Sequence, residues 1–133
     1  MTTYIEYDFN DIETEILSKF INYADGLIDQ LIKQGATTPW LAYKSYLSSI
    51  YMKLNYLGIK DFGLKDGEQM TLRWLYELFF CESFSFKYLT IPGWPDNLKQ
   101  ETNLILSKYS ESDLKGLQQK INSGKRSIGS CFG

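Results

Sequence analysis

The chain has 133 residues, a formal net charge of −2, 44% hydrophobic residues and 16% aromatics, which is ample core material for one domain. A slightly acidic chain does not suit attachment to nucleic acid by phosphate neutralisation. It also contains no histidine, which excludes Ser-His and Cys-His nucleophile pairs and every His-containing zinc or iron site.

The first predicted helix runs from about Asp11 to Gln34. Ile12, Ile16, Leu17, Phe20, Ile21, Ala24, Leu27, Ile28, Leu31 and Ile32 recur at helical spacing. Asn10 followed by Glu13 reads as a capping box, and Gly35 as a left-handed stop. The apolar positions cover an arc of about 200°, too wide for one neighbour, so this helix is expected at the centre. Thr38-Pro39 opens a second helix to about Leu57, with a seam of Trp40, Tyr43, Leu47, Ile50, Leu54 and Leu57. A second stripe holds Leu41, Ser45, Ser48, Met52 and Tyr56. Packing on another helix of the same chain is its first reading; self-association into a homodimer, with the serines allowing close approach, is its second.

Gly58–Gly67 reads as a loop. Asp66 with Gln69 is expected to cap a third helix that is apolar on nearly every side from Met70 to Cys81 and therefore buried all round. Ser83–Tyr88 alternates polar and aromatic residues but has no partner strand, and Pro92-Gly93-Trp94-Pro95 is a break in which Trp94 is expected to seal a helix junction. Asp96 starts a fourth helix carrying Leu98, Ile105, Leu106 and Tyr109. Ser110 with Asp113 starts a fifth, with Leu114, Leu117 and Ile121. The expected fold is all-α: a single-domain irregular bundle of about five helices over residues 1–124, with 125–133 as a mobile tail.

Two cysteines, Cys81 and Cys131, are too few for a disulfide framework or a four-thiolate site. No apolar run is long enough to span a membrane, and the first residues lack the pattern of a secretory signal, so the expectation is a cytoplasmic protein without membrane contact. Gly63-Leu64-Lys65-Asp66 fails as a phosphate loop because Asp stands where Ser or Thr must hold magnesium. No cofactor and no catalytic or metal-binding set is assigned.

Residues 1–35 carry seven acids against Lys19 and Lys33, a local net of −5, and the remainder sums to +3. The reading ranked first is a small non-enzymatic binding protein, in one version an inhibitor or immunity-type protein. Its contacts to a basic protein partner would be Glu6, Asp8, Asp11, Glu13 and Glu15. The alternative is a carboxylate-based, metal-dependent enzyme acting on a phosphorylated or nucleotide substrate, for which Asp66, Glu68, Glu77 and Glu82 are the candidate acids. Nucleic-acid binding by the last two helices and tail, through Lys99, Lys108, Lys115, Lys120, Lys125 and Arg126, ranks third, because acids are interspersed among the helical lysines.

Overall fold

A computed structural model describes residues 7–33, 35, 38–57, 63–80 and 96–124. Helix α1 (Asp11–Lys33) starts on the reciprocal box read from the sequence. The Asn10 side-chain oxygen accepts from the Glu13 N–H at 2.8 Å, and the Glu13 carboxylate accepts from the Asn10 N–H at 2.9 Å. Gly35 closes the helix with φ 94°, a region that disfavours residues bearing a Cβ, and donates to the Ile32 carbonyl at 3.0 Å. Helix α2 (Thr38–Met52) continues without a break into a π turn at Lys53–Leu57, so the predicted element reaches its expected end with its last turn widened.

Helix α3 (Asp66–Phe80) begins on the residue expected to cap it, so its cap lies one residue earlier than the sequence suggests. Gln69 N–H bonds the Lys65 carbonyl at 2.8 Å, so Lys65 is the capping position and Asp66 the first helical residue. The acid of the box is Glu68, which accepts from the Lys65 N–H at 2.9 Å. Helices α4 (Asp96–Leu106) and α5 (Glu111–Gly124) follow the predicted order. Tyr109 lies in the turn between them rather than in α4. The Ser110 hydroxyl accepts from the Asp113 N–H at 3.1 Å, the predicted start of α5. Ser83–Tyr88, the Pro92–Pro95 break with Trp94, and the tail 125–133 lie outside the described residues.

These five helices make an all-α bundle. Helix α1 packs against α2, α3 and α5 and buries Ile16, Leu17, Phe20, Ala24, Leu27 and Ile28, as its wide apolar arc requires. Helix α2 contributes Leu47 and Ile50, α3 Leu72, Leu75 and Phe79, and α5 Leu117 and Ile121. At the centre, Phe20 stacks on Phe79 with ring centroids 3.7 Å apart and meets Phe80 edge-on. Burial of α3 on every side does not hold: Met70, 63% exposed, projects beside α2. Where α2 and α3 approach, a Cβ on Gly67 would overlap the Tyr46 ring. Among the described residues no helix is long and apolar enough to cross a membrane.

Phe20 has no exposed surface and lies between two aromatic partners. Phe20→Ala should lower unfolding stability by about 3–5 kcal/mol, read as a fall in the urea midpoint with an unchanged slope.

Candidate interaction surface

The amino-terminal acids do not form one open face. Glu6 lies outside the described residues, and Asp8 and Asp11 are exposed. Glu13, by contrast, is 3% exposed. Its carboxylate caps α1 and also takes the Lys120 ammonium of α5 at 2.6 Å, while Lys120 donates to the Asp8 carbonyl at 2.7 Å. A Cβ on Gly116 would come within 3.0 Å of that carboxylate, so α5 lies close against it. Glu13 therefore holds α5 to α1 and presents no charge to a partner. Glu15 is exposed, accepts from the Tyr109 hydroxyl at 2.8 Å and stands 4.0 Å from Lys19. Further along α1, Asp25 and Asp29 both meet Lys44 of α2 at 2.8 Å. Those two carboxylates push the Lys44 pKa above its ordinary value.

A second buried acid mirrors Glu13. Glu68, 4% exposed, caps α3 and binds the Lys53 ammonium at 2.7 Å and the Ser49 hydroxyl. Lys53 also donates to the Gly63 carbonyl at 3.2 Å. Burial by itself would raise the Glu68 pKa. The bonds from Lys53, Ser49 and the Lys65 N–H outweigh it and hold the carboxyl below its ordinary value of 4.5.

The described acids among those considered for metal chemistry do not converge. Glu68 is committed to Lys53, and Glu77 stands 3.6 Å from Arg73 on its own helix. Glu82 lies outside the described residues. Among the described residues no three His, Cys, Asp or Glu side chains are grouped to hold a metal ion.

What the packing leaves outward is the second stripe of α2. Leu41 is 53% exposed, Met52 54% and Tyr56 74%, and Ser45 and Ser48 are exposed between them. At 100° per residue this stripe lies opposite the buried pair Leu47 and Ile50. Among the described residues no other helix packs over it. A helix face turned to water ordinarily carries the charged residues. In α2 and its π turn the only charged side chains are Lys44 and Lys53, and both turn sideways, to α1 and α3 respectively. The outward face is left without a charge. It continues into a shallow groove of about 300 Å³ between α2 and α3, lined by Ala42, Tyr43, Tyr46, Gly67, Met70 and Thr71.

The chain matches no protein-family model, no curated protein and no solved structure.

The Glu68–Lys53 pair yields two measurable outcomes. Lys53→Met leaves a buried carboxylate without its counter-charge and should cost on the order of 3–5 kcal/mol. Adding Glu68→Gln, which removes the orphaned charge, should recover most of that loss in urea unfolding. A carboxyl with a depressed folded-state pKa contributes stability in full above its unfolded value, and the contribution is lost as pH falls through the folded value. Glu68→Gln should therefore flatten the fall in stability below about pH 4.5 when thermal midpoints are compared with the parent chain.

Proposed function

We propose that this protein is a small non-enzymatic binding protein that works by contact with another protein chain, and that the outer face of α2 is its contact surface. The observation that carries the reading is the exposure of Leu41, Met52 and Tyr56 on a helix face without a charged residue. Interface centres are depleted in charge and enriched in Tyr and Met, whereas an ordinary solvated face is rich in Lys and Glu. Tyr46 and Met70 add apolar surface at the margin of the same face.

A second reading keeps the amino-terminal acids as the contact to a basic protein, in the manner of an inhibitor or immunity-type protein. It is favoured by the exposure of Asp8, Asp11 and Glu15 and loses Glu13, which is buried against Lys120; Glu6 stays in the set read from the sequence. Charge complementarity of this kind acts mainly on the rate of association and its salt dependence.

The two readings separate by substitution. Met52→Glu and Tyr56→Glu should each abolish capture of a partner while moving stability by no more than about 0.5 kcal/mol, because both side chains are exposed. Asp11→Lys should leave that capture intact. The reverse pattern, with Asp11→Lys slowing association and Met52→Glu silent, would transfer the contact to the acidic end of α1.

A further inference from the structure

From the spacing of the stripe we infer that the partner chain is a second copy of this protein, joined through α2 in an antiparallel, two-fold pair. The inference rests on the reading of the outer α2 face as an interaction surface and names what covers it.

An isologous interface must be complementary to itself: whatever residue i meets, its counterpart must meet i. The stripe meets that condition about a midpoint between Ser48 and Ser49. In an antiparallel pair centred there, Leu41 faces Tyr56 of the second copy, and Ser45 faces Met52. Each bulky side chain at one end is thus matched, by symmetry, at the other. The short Ser45 side chain leaves room for Met52, which is exposed and unbranched, and Ser48 at the axis lets the backbones approach. Steps of four, three and four residues from Leu41 to Met52 keep the contact on one seam.

Charge points the same way. A charged side chain near a two-fold axis meets its own like charge, which costs free energy. A surface built for a different protein is under no such constraint and usually carries charges that choose the partner. Here both lysines of α2 are drawn off to α1 and α3, and the exposed residues about the axis, Ser45, Ser48 and Met52, carry no charge. One helix face lies at the small end of interface sizes, so the dimer dissociates on dilution.

Sedimentation velocity of the full chain from low micromolar to near-millimolar concentration tests the inference. The parent should pass from monomer to dimer, and Ser48→Arg and Met52→Glu should each stay monomeric at the highest concentration with unchanged thermal midpoints. Orientation is read by disulfide cross-linking against the background of the parent's own thiols. Ser48→Cys should join two copies, whereas Leu41→Cys should not, because its copies would lie roughly 20 Å apart, beyond the reach of a disulfide. A parent that remains monomeric throughout, a dimer indifferent to both charge insertions, or efficient joining through Leu41→Cys would overturn the antiparallel pair. If the parent is monomeric while Met52→Glu still abolishes capture of a different protein, the second copy is wrong and the contact surface stands. Should the stripe variants change neither self-association nor capture, both fall together.

Discussion

Two glutamates hold this bundle together by serving a helix start and a distant helix at once. Glu13 and Glu68 each occupy the third position of a helix, where a carboxylate folds back to the capping N–H. Both are buried, and each receives a lysine from elsewhere in the chain, Lys120 from α5 and Lys53 from the end of α2. A buried carboxylate without a counter-charge is expensive. The helix start is therefore stable only when the neighbouring helix is docked, and the neighbour docks only where its ammonium finds the carboxylate. Apolar packing around Phe20 and Phe79 supplies the bulk of the stabilisation; the two ion pairs fix how α5 lies on α1 and how α2 lies on α3.

The same pairing determines what the surface can offer. Lys44, Lys53 and Lys120 are drawn into contacts between helices, and so are Glu13, Glu68, Asp25 and Asp29. Three of the seven acids that composition places in the first 35 residues, Glu13, Asp25 and Asp29, are paired with lysines of other helices, and the helix whose two lysines both go to its neighbours is left with an uncharged outer face. An exposed face of Leu41, Met52 and Tyr56 is thus a by-product of how the bundle is tied, and it is the face to which the proposed contact is assigned.

Much of this was legible in the amino-acid sequence, and the parts that were not share a cause. The Asn10–Glu13 box, the Gly35 stop and the Ser110 start depend on residues three or four apart, so local rules find them. The wide arc of α1 and the Leu47–Ile50 side of α2 follow from helical period. Local rules misplaced the cap of α3, because they look for an oxygen at the cap and chose Asp66. The structure instead uses Lys65, whose N–H is satisfied by a glutamate anchored to another helix. They also buried Met70, since composition cannot say which side of a mostly apolar helix lacks a neighbour. The candidate contact acids failed to sort for the same reason. Glu13 looks like Asp11 in sequence, and only a lysine far along the chain distinguishes them. The α2 stripe was legible as a stripe; its exposure was not, because that depends on where every other helix goes.

The bridge from Glu13 to Lys120 has a temporal meaning as well. During synthesis, the amino-terminal helix leaves the ribosome long before the residue that neutralises its buried acid has been polymerised. Until α5 arrives, that flank of α1 is a hydrophobic strip with an unmatched anion at its head, and closing so long a loop carries its own entropic cost. The nascent chain is therefore most vulnerable to misassociation until α5 has been made, and locking of the bundle waits for that helix.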